Sequence, residues 1–344
     1  MKKYKWIEIG FEIMYEYTPI DFSTIELRNK FIHIASHALC IGEHFSRILD
    51  RNNSIVDKEK KYEKVAELFY WTGCGYEAMA QFEQAINSYS KDLEISEKNL
   101  GVNHPDTAAT YNNIANVYDT LGNYNMAIEF YRKSLKIKER VLGKEHLYTA
   151  TTYHNIAHTY SNQGNYEKSL KWNNKALLIR EKELGDNHLE TASTYNNIGI
   201  TYNRKGDYST ALCWHQKALC IRENVLGNEH PDTSVSYNNI AVVYHNLKNY
   251  SKSLEFYDKA LMIDERILGF GHPDTATTYY NIADVYLHQN DYLRAKEFFE
   301  KAFSIRLKIL GSNHPDTVKT HDIMENTLKP YFDKMDGELI TGGG

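Results

Sequence analysis

The sequence predicts an all-α solenoid of stacked antiparallel helix pairs, and three observations carry that prediction. A closing Leu-Gly pair recurs at Leu100-Gly101, Leu142-Gly143, Leu184-Gly185, Leu226-Gly227, Leu268-Gly269 and Leu310-Gly311, each 42 residues after the last. A histidine three residues on keeps step (His104, His146, His188, His230, His272, His314), and so does a threonine three further (Thr107, Thr149, Thr191, Thr233, Thr275, Thr317). Within each interval apolar residues fall at i, i+3, i+4 and i+7, as in Tyr111, Ile114, Ala115 and Tyr118, which makes one buried helical stripe. A fixed period between 20 and 50 residues marks a chain of stacked repeats.

Composition narrows the class. A chain of 344 residues would ordinarily divide into two or three globular domains. A repeat overrides that expectation, because a solenoid grows by adding units and has no single core to outgrow. The formal charge is −5, and Lys and Arg are interleaved with Asp and Glu. That pattern reads as solvated helix faces and offers no electrostatic footprint for nucleic acid. Four cysteines, Cys40, Cys74, Cys213 and Cys220, form no CxxC and fit buried thiols in a reducing compartment. Lys2, Lys3 and Lys5 open the chain as a signal peptide might, but Glu8 and Glu12 break the apolar stretch behind them. No apolar run approaches the length of a membrane span. A soluble, cytoplasmic chain without a membrane partner is expected.

Residues 1–62 lie outside the exact repeat and are expected to form a mostly helical capping segment. Ile7, Ile9, Phe11, Ile13, Tyr15 and Tyr17 alternate with Glu8, Gly10, Glu12, Met14 and Glu16, a period of two that argues for a strand. A helix shielding the first repeat fits equally well, since no partner strand stands nearby. From Leu27 to Leu49 the pattern turns helical, through Phe31, Ile34, Ala38, Ile41, Phe45 and Leu49. Asp50 to Lys61 reads as a loop or an exposed helix start. The array then occupies 63–330, about six helix pairs and a C-terminal capping helix. Its first unit, 63–100, is diverged: Phe69, Gly73, Tyr76, Phe82 and Ala85 share register with Tyr111, Ala115, Tyr118, Tyr124 and Ala127. Terminal repeats drift because one face lacks a neighbour.

Each later unit splits into two helices. Asp106 and Thr107 read as N-cap residues of the first, with Pro105 just ahead. Gly122, Gly164 and Gly206 read as its left-handed stop, with Asn290 able to substitute and Lys248 predicting a looser turn. The second helix, from about Met126 to Leu142, presents Ala127, Tyr131, Ser134, Leu135 and Val141, repeated as Ala211, His215, Ala218, Leu219 and Val225. Ala115, Ala157, Gly199, Ala241 and Ala283 are small where two helices must cross closely. The periodic histidines, each following a helix-ending glycine, are expected to meet helix-terminus carbonyls or pack the turn. A last helix runs from Asp316 to Lys329 and ends at Pro330. His321, Glu325 and Lys329 make its outer face polar, as a solenoid end requires. Residues 331–344 read as a flexible tail.

The string Tyr237-Asn238-Asn239-Ile240-Ala241 through Tyr244, then Asn249-Tyr250, Ser253-Leu254, Ala260-Leu261, Leu268-Gly269 and His272-Pro273, resembles the tetratricopeptide (TPR) repeat. The match is to the 42-residue version found in kinesin light chains, over residues 63–330. The resemblance implies a TPR solenoid, a right-handed superhelix of antiparallel pairs, with the first helix of each pair lining a concave groove. The heptad coiled coil of kinesin light chains has no counterpart in residues 1–62. Phe31 to Phe45, with Ser36-His37-Ala38-Leu39 and Gly42-Glu43-His44, instead resembles the stretch preceding this repeat in STAND-type (NB-ARC/NACHT-like) ATPases, where the array is a ligand sensor. The chain contains no GxxxxGK[ST] loop.

That resemblance places Asn112, Asn113, Asn116, Asp119 and Thr120 of the first full unit in the groove. Their equivalents are His154, Asn155, His158, Ser161 and Asn162; Asn196, Asn197, Ile200, Asn203 and Arg204; Asn238, Asn239, Val242, His245 and Asn246; and Tyr280, Asn281, Asp284, Leu287 and His288. Asn113, Asn155, Asn197, Asn239 and Asn281 are identical while their neighbours vary. An amide both donates and accepts, so these residues can grip a peptide backbone or bond the adjacent helix. His154 and His158, like His33 and His37, have the i, i+4 spacing of metal ligands, but no third ligand stands with either pair and no HExxH is present. The sequence therefore assigns no metal, no catalytic residue and no cofactor. The expected function is a non-enzymatic scaffold that binds a peptide or partner protein in the groove, or alternatively the sensor half of a STAND-type ATPase.

Overall fold

The computed structural model describes residues 2–17, 25–51, 55, 57–312 and 314–334, and all regular structure among them is helical. Fifteen helices follow in order: α1 Lys2–Tyr17, α2 Ile25–Arg51, α3 Lys58–Ala78, α4 Phe82–Asn99, α5 Pro105–Thr120, α6 Tyr124–Val141, α7 Leu147–Asn162, α8 Tyr166–Leu184, α9 Leu189–Lys205, α10 Tyr208–Leu226, α11 Pro231–Asn246, α12 Tyr250–Ile263, α13 Pro273–His288, α14 Tyr292–Leu310 and α15 Pro315–Ile323. α12 and α15 each run on into a π-helical turn, Asp264–Leu268 and Met324–Leu328. Contacts gather into two compact units, residues 1–179 and 180–344.

In the first unit the alternating segment is helix α1, because only part of its apolar set is buried. Phe11 is wholly buried and stacks on Phe45 with ring centroids 4.6 Å apart, whereas Ile9 and Ile13 face solvent. Phe11, Met14 and Tyr15 meet the core at i, i+3 and i+4, a helical spacing hidden under the period of two. Leu49, Val65, Leu68 and Phe69 complete that core, so α1 and α2 close over α3. Lys64 ties α3 to Glu12 of α1 at 2.8 Å.

The turns explain the 42-residue signature. The N-cap of each first helix is the periodic histidine, not Asp106 and Thr107: His104 Nδ1 accepts the Asp106 N–H at 3.3 Å, and His230 Nδ1 accepts the Asp232 N–H at 3.1 Å. The imidazole thus satisfies an N–H left over at the helix start, not a carbonyl at the previous helix end. The threonine instead reaches back, its hydroxyl donating to the carbonyl of the closing glycine: Thr149 to Gly143 at 2.8 Å and Thr233 to Gly227 at 2.8 Å. Gly227 has φ 88° and ψ 167°, a conformation open almost only to glycine and distinct from the left-handed helical one.

The turn inside each unit does require the left-handed conformation, and the fold imposes it whatever the residue. Ala80, Gly122, Gly164, Gly206, Lys248 and Asn290 form one register, and all have φ between 54° and 89°. Lys248 makes no looser turn than glycine: Asn249 N bonds Tyr244 O at 2.9 Å, as Asn123 N bonds Tyr118 O at 2.8 Å.

On the second helices the buried stripe of α10 is Ala211, His215, Ala218 and Arg222, at i, i+4, i+7 and i+11. Val141 and Val225 lie off the stripe and are exposed, as are Cys213 and Cys220, so those thiols are surface groups and not packing. Cys40 is exposed as well. At the foot of the stripe a polar side chain bolts each second helix to the next first helix. Lys138 donates to Thr152 at 2.9 Å, Arg222 to Ser236 at 2.8 Å and Arg306 to Thr320 at 2.8 Å. Burial pushes the Lys138 ammonium down to about 8. Asp264 holds the same register with the polarity reversed, accepting from Thr278 at 2.7 Å and from Ser234 at 2.5 Å.

The C-terminal helix does not stop at Pro330. Residues 329–334 remain helical, and Tyr331 lies 4.1 Å from Tyr292 between ring centroids. A proline ring clashes with the carbonyl four residues back. Here that carbonyl belongs to Asn326, inside the wider π turn, where Lys329 N bonds Met324 O five residues away. Of the expected tail, 331–334 is thus helix and 335–344 lies outside the described residues.

Candidate ligand-binding face

The first helices of each compact unit carry two ladders of polar side chains, each rung joining one repeat to the next within that unit. The upper ladder contains the periodic asparagines. In the first unit Asn155 Nδ2 donates to Asn112 Oδ1 at 3.4 Å, and Asn113 bonds the Tyr70 hydroxyl, which holds the register of Asn112 one repeat earlier. In the second unit Asn239 Nδ2 donates to Asn196 Oδ1 at 2.9 Å. Asn196 also takes His215 Nδ1 at 3.0 Å. The step is 43 residues, one period plus one, because the side chain leans across to the preceding helix. Asn238 Nδ2 points the other way, to Thr278 at 2.9 Å. Asn196 and Asn197 are the most buried of the set, at 7% and 9% exposed. Asn113, Asn155, Asn238, Asn239 and Asn281 are half-buried.

The lower ladder lies two helical turns further on. In the first unit His158 Nδ1 stands 3.2 Å from Asp119 Oδ2, and Asn162 Nδ2 donates to the same oxygen at 3.2 Å. In the second, Asn246 donates to Asn203 at 2.9 Å. One repeat later His245, Asp284 and His288 occupy this slot, with one donor atom from each within 4.8 Å of the other two. Burial holds the His245 imidazole below its ordinary pKa, against the pull of the Asp284 carboxylate. The sequence reading placed all three residues on this face but did not group them. Their spacings from His245 are 43, the ladder's step of one period plus one, and 39, the same step less a helical i, i+4, and that pattern is the signal that would have found them.

Between and beside the ladders sit the variable positions. In the first unit Asn116 and His158 are half-buried, with Thr120 and Asn162 beside them; in the second, the same registers are a half-buried row of Ile200, Val242 and Asp284 and an exposed row of Arg204, Asn246 and His288. Some are engaged: Asn116 Oδ1 accepts from Tyr131 at 2.5 Å, and Val242 packs against the core around Tyr257. Arg204 is the one Lys or Arg in either row.

The tetratricopeptide repeat model matches six overlapping stretches, 75–140, 121–176, 148–224, 214–266, 232–308 and 274–323. The chain belongs to the tetratricopeptide repeat family. No curated protein matches it in sequence. Among solved structures this TPR protein is similar to BtubC (BKLC) from P. vanneervenii, with 24% identity over 70% of this chain and 92% of that one, at a TM-score of 0.55. It is similar also to the apo form of RapI (17% identity, 80% and 98% coverage, TM-score 0.57). A Rap protein complexed with competence and sporulation factor aligns over 89% of this chain and 99% of its own, at 15% identity and a TM-score of 0.51. At these identities the likeness is one of fold, the TPR solenoid expected from the repeat. Among the described residues no helix is long and apolar enough to cross a membrane.

Proposed function

We propose that this TPR protein is a non-enzymatic scaffold that holds an extended peptide, or a segment of a partner protein, along the ladder face of its first helices. The observation that carries the reading is the division of roles on that face. Constant asparagines tie helix to helix, while the rows beside them change from one unit to the next. A fixed frame with varied neighbours suits recognition in which pockets read alternate side chains of an extended segment. A Rap protein of the same fold has been solved complexed with competence and sporulation factor, which supports a binding role for the array.

The test is to select peptides against the full chain from a random library and measure the tightest by fluorescence anisotropy. Ile200→Glu and Val242→Glu change the variable row without touching the asparagine frame. Each is expected to weaken binding about tenfold or more, equivalent to roughly 1.4 kcal/mol, with the helical circular dichroism unchanged. Affinity should change little between low and moderate salt, because a single Arg204 gives screening little to act on. A library that yields no binder, variants that bind normally, or a steep salt dependence would overturn the reading.

A further inference from the structure

The lower ladder changes character at its last rung. In the first unit Asp119 and His158 meet at hydrogen-bond distance. In the second, His245 Nδ1 stands 3.8 Å from Asp284 Oδ2, and His288 Nδ1 stands 3.6 Å from Asp284 Oδ1. Both separations exceed a hydrogen bond. Three polar groups thus converge from the first helices of two successive repeats, α11 and α13, and their side chains stop short of one another. One ligand atom from each of the three lies within 4.8 Å of the other two, against about 3.3 Å between ligands on a tetrahedral zinc at about 2.0–2.1 Å, so side-chain rotations would close the gap.

We propose that His245, Asp284 and His288 bind a divalent first-row transition-metal ion, Zn2+ or Ni2+. Two imidazoles and a carboxylate are the donor set such ions take, and three protein ligands leave a position open. The i, i+4 spacing of Asp284 and His288 puts both on one face of α13, and His245 supplies the third ligand from α11. An outer contact fixes one ring: His288 Nδ1 donates to the Asp284 carbonyl at 2.8 Å, which leaves Nε2 with the lone pair for a metal. Exposure is graded across the site. The side chains of His245, Asp284 and His288 are 15%, 30% and 51% exposed, so one side is walled and the other is open to water or to a ligand atom from outside. The bound ion would staple α11 to α13.

The experiment titrates Zn2+ and Ni2+ separately into the tag-free full chain by calorimetry, with Co2+ as a visible-absorption probe and no peptide present. One ion per chain is expected, together with a higher melting temperature in its presence. His245→Asn and His288→Asn should each weaken binding by at least about tenfold and abolish the thermal shift, while their metal-free melting stays close to that of the parent chain. His158→Asn, in the equivalent slot of the first unit, should leave binding unchanged. Absence of one-to-one binding would overturn the proposal. So would equal binding by the His245 and His288 variants, which would place the ion on other histidines. Because no peptide enters the measurement, its outcome is independent of the scaffold reading.

Discussion

The His215 ring fills the space that a side chain at residue 199 would need: a Cβ built on Gly199 would lie 2.8 Å from two atoms of that imidazole. The same two registers hold Ala157 with Asn173 one repeat earlier and Ala241 with Tyr257, packed in one core, one repeat later, so the volumes at 199 and 215 vary as a pair. Gly199→Ala is expected to lower stability by about 1–3 kcal/mol, because the ring must move and loosen its contact with Asn196. Combining it with His215→Asn reproduces the Ala157 and Asn173 pair and should recover part of the loss. Urea midpoints of the two variants check this, and an unchanged midpoint in Gly199→Ala would show that the ring moves freely.

Two buried groups give the pH dependence opposite signs. Burial, then the nearby Arg222 charge, pushes the His215 imidazole down to about 4. The unfolded chain takes up that proton near pH 6.5 and the folded chain does not, so this contribution is full above 6.5 and is lost as pH falls towards 4. Burial pushes the Asp92 carboxyl up to about 7, although Thr110 and Ser96 donate to it at 2.6 and 2.9 Å. There the folded chain keeps a proton that the unfolded chain has lost above about 4, so stability falls as pH rises from 4 to 7. Each contribution is on the order of 3 kcal/mol. Asp92→Asn should therefore be more stable than the parent at pH 8, with the advantage vanishing near pH 4. His215→Gln should remove the loss on acidification. Denaturation midpoints across pH 4–8 separate the two, and parallel curves for Asp92→Asn and the parent would refute the assignment.

The two kinds of turn respond differently to substitution. Gly227→Val forces a β-branched residue into φ 88° and ψ 167° and should cost on the order of 1–3 kcal/mol. Lys248 already tolerates φ 58°, so Lys248→Gly should gain up to about 1 kcal/mol by removing a Cβ from a left-handed position. Paired melting curves decide it. Equal stability of Gly227→Val and the parent would mean that this turn relaxes to another conformation.

The helix pairs were legible because one stripe, Tyr111, Ile114, Ala115 and Tyr118, repeats in every unit with a fixed interval. The cap was misassigned because Asp106 has the more familiar cap chemistry, whereas His104 caps through a ring nitrogen. The bolts between helices went unseen because Lys138, Arg222 and Asp264 share a register but not a residue type. Their common feature is a hydroxyl 14 residues later, which only the packed helices bring alongside. Helix α1 was ambiguous because Ile9 and Ile13 are apolar yet exposed, adding a false period to a real one. The asparagines were read both as ligand contacts and as stays between helices. The bonds of Asn155 and Asn239 show the second role, and the proposal assigns ligand contact to the variable rows beside them.

At five of the joints between repeats a seven-residue span carries the closing contacts. From Gly227 to Thr233 the glycine carbonyl takes the threonine hydroxyl, and the histidine between them caps the helix that follows. Arg222 and Ser236, one from each flanking helix, add the bolt across it. A gene encoding such a chain can gain or lose whole 42-residue units by unequal recombination, and every joint in the product arrives already sealed.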